Sequence, residues 1–309
     1  MKNKTNFMTK TWVIVVGAMI CCTLWGSAFP CIKIGYRMME IAAADTASQI
    51  LYAGYRFTLA GVLTIVLGSI LQRKILLPKR SAIGKIGLLS LLQTVLQYLF
   101  FYIGLAHTTG VKASIIEAVS TFVAILVAGY LFHQETVTSR KMLGCLIGFA
   151  GVVLVNVAGS GMDFHFSPAG DGCILLSTVA YAFSSVCMKR FSQKEDPVML
   201  SGYQFILGGI VMIACGGAMG GHLKAFTASA AALLIYMAMI SAVAYSLWGM
   251  LLKYNPVSKV TVFGFMNPVI GVILSALLLD ETEALGVSSV LALGLVCVGI
   301  YIVNAKAKE

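Results

Sequence analysis

Gly54-Tyr55-Arg56-Phe57-Thr58-Leu59-Ala60-Gly61 returns as Gly202-Tyr203-Gln204-Phe205-Ile206-Leu207-Gly208-Gly209, inside a chain of 309 residues that is almost continuously apolar. The repeat extends outward from this stretch. Leu105 to Phe132, followed by Gln134-Glu135-Thr136, parallels Leu251 to Leu278, followed by Asp280-Glu281-Thr282. Gly151 to Asn156 parallels Gly299 to Asn304, and Cys31-Ile32-Lys33 aligns with Cys187-Met188-Lys189. A long internal duplication of this kind decides the architecture before any single residue is considered.

The solvent of the fold is lipid. Hydrophobic residues make up 59% of the chain and charged ones 11%, where roughly a quarter would be charged in a soluble domain; the mean hydropathy is +0.91. Crossing a bilayer takes about 20 apolar helical residues, and ten such runs follow one another: Trp12 to Ile34, Ile50 to Leu71, Ile83 to Leu105, Val111 to Phe132 and Met142 to Val157, then Gly172 to Lys189, Met199 to Met219, Ala230 to Leu252, Val260 to Leu279 and Leu285 to Val303. Little lies outside them, so no soluble catalytic domain is expected. Lys2, Lys4 and Lys10 precede a first run that is too long for a secretion signal and lacks a small-residue cleavage site, so it reads as a retained helix.

Five spans in each half is an odd number, so the two repeats must be inverted relative to one another, as in many secondary transporters. The fold class expected is an all-α integral membrane protein of ten helices in two inverted five-helix repeats, residues 1–157 and 170–309. The connection 158–169 is rich in turn residues, including Gly159, Gly161 and Pro168, and carries no base.

Charge distribution sets the expected orientation. With the N-terminus inside, Lys2, Lys4, Lys10, Arg73, Lys74, Lys79, Arg80, Lys85, Arg140, Lys141, Lys189, Arg190, Lys194, Lys253, Lys259, Lys306 and Lys308 fall on the inner side. Only Lys33, Arg37, Lys112 and Lys224 fall at the outer side, and Arg56 lies within a span, which accounts for all 22 bases. This positive-inside bias places both termini in the cytoplasm and the chain in a cytoplasmic membrane. It also accounts for the net charge of +10 without a nucleic-acid partner. All eight cysteines fall in the spans, at spacings that suggest neither disulfides nor zinc. No phosphate loop, nucleophile triad or metal-ligand cluster is present; no cofactor and no metal are expected, and ATP-driven pumping is excluded for this chain.

Trp25-Gly26-Ser27-Ala28-Phe29 with Lys33 in the first span, Arg56-Phe57 in the second, and the paired segments ending in Glu135 and Glu281 resemble the EamA family of the drug/metabolite transporter superfamily. The resemblance covers nearly the whole chain. It implies two inverted repeats around a central cavity and movement of small metabolites, amino acids or drugs, commonly outward. Two departures stand out: Gln204 replaces the arginine in the second copy, and Phe122 stands where the second copy has Pro268.

Glu117 is the one acidic residue well inside an apolar span, where an ionised carboxylate demands a partner, water or a proton. Ser114, Glu117 and Thr121 share a helical face, and counting from Gly110 sets the carboxylate roughly 10 Å below the outer surface. Two readings stand side by side: Glu117 couples transport by exchanging a proton for a cationic solute, or it forms a fixed ion pair with Arg56 or Lys33. For those two bases, which the family also carries here, an architectural duty is expected, with a direct grip on an anionic group of the solute as the alternative. Trp25, Gln97, Tyr98, Tyr102, Tyr181, Tyr245 and Trp248 form polar and aromatic stripes that should face inward; with Ser114, Thr121 and Asn267 they are the candidate cavity lining. Pro30 and Pro268 are candidate gate kinks. Gly144 with Gly148, and Gly216 with Gly220, have the spacing for close helix approach.

The expected function is secondary transport of small organic metabolites across the membrane, as export by proton antiport with alternating access. The partners are then a small-molecule solute, protons and the lipid bilayer. A uniporter or exchanger of the same fold is the alternative, and an intramembrane lipid-modifying enzyme a more distant one.

Overall fold

The computed structural model describes residues 7–157, 166–223, 227–279 and 287–305. Ten apolar helices run through them: α1 Thr11–Met38, α2 Thr46–Gln72, α3 Arg80–Leu105, α4 Lys112–Leu131, α5 Ser139–Val157, α6 Pro168–Ser192, α7 Pro197–Ala218, α8 Ala228–Tyr254, α9, and α10 Val287–Asn304. The ninth is built from three pieces in succession, Val257–Thr261, a 3-10 turn Val262–Phe265, and Met266–Leu279. It therefore starts three residues earlier than its apolar run, because Pro256 and the polar Ser258 and Lys259 belong to its first turns. Pro168 and Ala169, assigned by their composition to the connection between halves, form the first turn of α6, with the Ser167 hydroxyl accepting from Gly170 N at 3.1 Å. The remainder of that connection, residues 158–165, lies outside the described residues, as do Lys2, Lys4, Lys224, Asp280, Glu281, Lys306 and Lys308.

In lipid no water satisfies the backbone, so each span must be helical and its ends capped. Asp45 accepts from Ser48 N at 3.0 Å at the start of α2, and Asp196, followed by Pro197, accepts from Val198 N and Met199 N at the start of α7. Both are favoured N-cap arrangements.

The motif that repeats in the sequence packs against itself. α2 lies on α7 with backbones nearly touching: a Cβ on Gly61 would meet Gly202 O at 2.5 Å, and one on Gly209 would meet Thr58 N at 2.5 Å. Only glycine permits this approach. Phe57 and Phe205, equivalent residues of the two copies, stack on each other with ring centroids 5.3 Å apart and planes 9° from parallel. The other helix pairs follow the same exchange of halves: α5 packs on α10, α1–α8 is matched by α6–α3, and α1–α9 by α6–α4. Gly144 is spent on the α5–α10 contact and Gly216 on α2, so these glycines serve internal packing; Gly220 instead takes a positive φ of 85° at the end of α7.

The cysteines are free. Cys21 and Cys22 are buried in α1, and their thiols donate to Ala244 O and Phe263 O of the second half at 3.3 and 3.2 Å. They act as small packing residues.

Candidate functional site

Where α1, α3, α4, α6, α8 and α9 converge they leave a cavity of about 150 Å³, to which α2 adds Arg56. Its wall takes Trp25, Ala28 and Ile32 from α1, Gln97, Tyr98, Phe101 and Tyr102 from α3, and Ser177, Thr178 and Tyr181 from α6. From α4 come Ser114, Glu117, Ala118, Ser120, Thr121 and Ala124, from α8 Tyr245, and from α9 Thr261, Gly264, Asn267 and Pro268.

The α4 face read from helical spacing, Ser114, Glu117 and Thr121, lies in this wall, and Ser120 on the same turn joins it. Glu117 makes no hydrogen bond or ion pair with any described residue. The expected alternative, a fixed pair with Arg56, is not formed. The guanidinium, 3% exposed, instead donates from Nη2 to Ser241 Oγ at 3.0 Å and lies 5.0 Å from the Phe57 ring centre. Lys33 sits on the exposed side of α1, away from the wall. Arg56 is thus a wall residue as well as a structural one.

Aromatic rings close one side of the cavity. Tyr98 and Tyr245 share a hydrogen bond at 2.9 Å, and Trp25 packs edge-on against Tyr245 at 5.1 Å and Trp248 at 5.0 Å. Trp248 corrects an expectation: it stands behind Trp25, buried, and does not reach the wall. Sequence spacing places it on an inward face but says nothing of the indole interposed in front of it.

Several polar atoms in this wall are buried and lack a protein partner: Trp25 Nε1, Arg56 Nε, Gln97 Oε1 and Asn267 Oδ1. Buried polar groups are nearly always hydrogen-bonded, so four such atoms around one cavity mark it as a place for a polar guest. The helices that carry them are locally irregular. α3 widens to a π-helix over Ser90–Leu96 just before Gln97, and α9 tightens to 3-10 just before Asn267 and Pro268. Pro268 therefore falls in the first turn after the break, while α1 continues as helix through Pro30. Such breaks concentrate at functional sites.

Beyond the aromatic floor the two halves are tied together at the end of the bundle that carries most of the bases. Glu135, at the end of α4, accepts from Ser258 N at 2.9 Å and from the Ser258 hydroxyl, and pairs with Lys141 at 2.8 Å. Lys85 pairs with Glu195 at 2.5 Å and Gln134 donates to Val186 O; within the second half, Lys189 donates to the carbonyls of Leu252 and Asn255. At the opposite end Asp171 accepts from the Thr108 hydroxyl and from Ser167 N at 2.9 Å and lies 3.6 Å from Lys112. Among the described residues no group of three or more His, Cys, Asp or Glu has the arrangement of a metal site.

Comparison with known proteins places this geometry. The model of the EamA-like transporter family matches residues 12–157 and again 168–305. An uncharacterized transporter of Archaeoglobus fulgidus is 28% identical over 96% of this chain and 99% of its own length. The uncharacterized transporter YvbV of Bacillus subtilis is 26% identical over 92% of this chain and 89% of its own. YedA of Escherichia coli, an uncharacterized inner membrane transporter, is 28% identical over 92% and 90%. A protein solved by crystallography superposes with a TM-score of 0.77 at 16% identity, over 94% of this chain and 96% of its own, and so shares the fold.

Proposed function

This chain belongs to the EamA-like transporter family, a multi-pass membrane transporter, and we propose that it exports small organic metabolites from the cytoplasm in exchange for protons, by alternating access. The observation that carries the reading is the cavity between the two halves, with an unpaired Glu117 in its wall. A lone carboxylate at that depth is stable only when it holds a proton or a cation. Holding one excludes the other, which is the requirement for exchange.

The packing supports a pair of gates. The basic end faces the cytoplasm, in keeping with the positive-inside bias. There the Trp25–Tyr245–Trp248 cluster, the Tyr98–Tyr245 bond and the Glu135–Ser258 latch all join one half to the other. Opening inward requires these contacts to part, while Arg56, Tyr102 and Ile32 line the outward route. Rocking of one repeat against the other exchanges the two arrangements.

The experiment is reconstitution in liposomes with a pH indicator inside and a screen of candidate metabolites. Glu117→Gln should lower solute-evoked proton movement by roughly 10-fold or more, the worth of one charge-assisted interaction. Undiminished proton movement in that variant removes Glu117 from coupling. Solute movement without proton movement in the unaltered protein assigns the uniporter or exchanger instead.

A further inference from the structure

We propose that the cavity recognises a primary ammonium group, through a cradle of three oxygen acceptors formed by the Glu117 carboxylate, Asn267 Oδ1 and the main-chain carbonyl of Gly264, and rejects quaternary ammonium ions. The proposal rests on the reading that the transported solute enters this cavity.

The cradle follows from how α4 and α9 cross. Glu135 meets Ser258, and fourteen residues earlier on α4 the Thr121 hydroxyl donates to Thr261 O at 3.1 Å. α4 and α9 are five spans apart in a chain whose spans alternate in direction, so they run antiparallel along this seam. Gly264 stands against Thr121, a Cβ on it lying 3.8 Å from Thr121 Oγ1. One helical turn further along each strand of the seam come Glu117 on α4 and Asn267 on α9, both in the cavity wall. The half of α4 that bears Glu117 packs on α5 and α6, so the seam opens there into the space that holds the guest.

Each acceptor has capacity to spare. Glu117 has no partner among the described residues, and Asn267 Oδ1 is buried without a donor. Gly264 has no side chain, so it lines the wall with its backbone. Its carbonyl accepts from the Met266 N–H at the end of the 3-10 turn, but the N–H four residues on, which would take it in an α-helix, is missing because that residue is Pro268, so its second lone pair stays open. A primary ammonium carries three N–H donors on one centre and satisfies all three oxygens at once. A quaternary ammonium carries no donor, and would bury the same oxygens unsatisfied.

The rest of the cavity orients the guest. Arg56 enters the wall from α2, held by Ser241 and Phe57, and its charge disfavours an ammonium beside it. The apolar body then rests on Trp25, Tyr181 and Tyr245. A volume of about 150 Å³ is well below the roughly 300–1,000 Å³ of drug-sized pockets, which limits that body to about one ring.

The test is ligand-dependent thermal stabilisation of the detergent-purified full chain, titrated with 2-phenylethylamine, its N,N,N-trimethyl derivative and 2-phenylethanol. The expected result is saturable stabilisation by the amine, with the trimethyl compound and the alcohol weaker by roughly 10-fold or more. Asn267→Ala should shrink the preference for amine over trimethyl compound while leaving some binding of both, and Glu117→Gln should abolish both. Equal or tighter binding of the trimethyl compound by the unaltered protein, or no binding of the amine, overturns the proposal, and neither outcome depends on a variant folding. The transport reading fails separately. Amine preference with proton movement intact in Glu117→Gln sinks the coupling role alone, whereas proton coupling through Glu117 with a quaternary preference sinks the cradle alone.

Discussion

The two halves of the bundle share their packing and differ in their charges. Arg56 of α2 reaches α8 at Ser241, and the equivalent Gln204 of α7 reaches α3, where its Oε1 accepts from the Thr94 hydroxyl at 2.6 Å. The same crossing is thus made twice, once with a charge and once without. By the same correspondence Glu117 of α4 matches Phe263 of α9, which is buried in the core, and Tyr102 matches Trp248. What is duplicated is what closes the fold: glycines, stacked phenylalanines, helix caps. What is not duplicated sits in the cavity wall, so the first repeat supplies both of its charges and the second supplies the break in α9 that faces them. A symmetric frame around an asymmetric wall is what the proposed alternating access requires: two gates of similar build around one set of binding groups.

The sharpest way to break this comparison is to give the second half the first half's charge. Gln204 is fully buried and is not part of the cavity wall, so Gln204→Arg places a guanidinium where neither water nor an acid meets it. A cost of about 3 kcal/mol is expected for an arginine at mid-helix, read as loss of monodisperse protein after extraction. The reverse exchange, Arg56→Gln, removes a charge from a wall position and should leave the fold intact. Equal damage from the two would mean that the halves are not asymmetric in this respect.

Next in size is the shared crossing itself. Gly209→Leu drives a side chain into Thr58 N and Gly54 O, both backbone atoms of a packed helix that cannot turn aside. Overpacking of this kind costs about 1–3 kcal/mol, seen as a lower apparent melting temperature, and Gly61→Leu should match it, since it meets the equivalent atoms from the other half. A third test concerns the latch. Glu135→Gln weakens the bonds to Ser258 and Lys141 that hold α4 against α9 at the basic end. A loss of about 1.5 kcal/mol for a charge-assisted bond shifts the gate roughly 10-fold toward the inward-open arrangement, measurable by spin-label distances across that end.

Much of this was legible in the residues because lipid imposes simple rules. Spans show as long apolar runs, and a helical repeat of polar residues within them shows which face turns inward; Ser114, Glu117 and Thr121 meet in one wall for that reason. The repeated Gly-Tyr-x-Phe stretch already contained one of the close helix crossings of the fold. Spacing along one helix does not report what a neighbouring helix places in front of it, which is why it puts Trp248 in the lining and does not decide between structure and solute contact for Arg56. Nor does it report the π-turns in α3 and α6 or the 3-10 turn in α9. Those arise where tertiary packing pulls the backbone away from ideal repeat, and no local residue preference encodes them apart from Pro268. Gly264, Thr261 and Thr178 entered the wall unannounced, since a glycine's carbonyl or a helix-bonded threonine carries no signal until its neighbours are known.

The smallest effect tests the asymmetry where it is least visible. Tyr98 and Tyr245 join the halves through one hydroxyl pair, and the spacing of the repeat sets Ala244 and Leu99 at their equivalents, so the bond has no counterpart at the other gate. Interhelical hydrogen bonds in membranes average about 0.6 kcal/mol, and Tyr98→Phe should cost about that. Tyr245→Phe should cost the same, and the double variant no more than either alone, because removing one hydroxyl already ends the interaction. Both phenylalanines keep the ring contacts with Phe57, Phe205 and Trp25, so the cycle isolates the hydroxyls. Additive losses would show that each hydroxyl bonds elsewhere and that the floor is held by ring packing alone, which would leave the two gates more alike than their residues suggest.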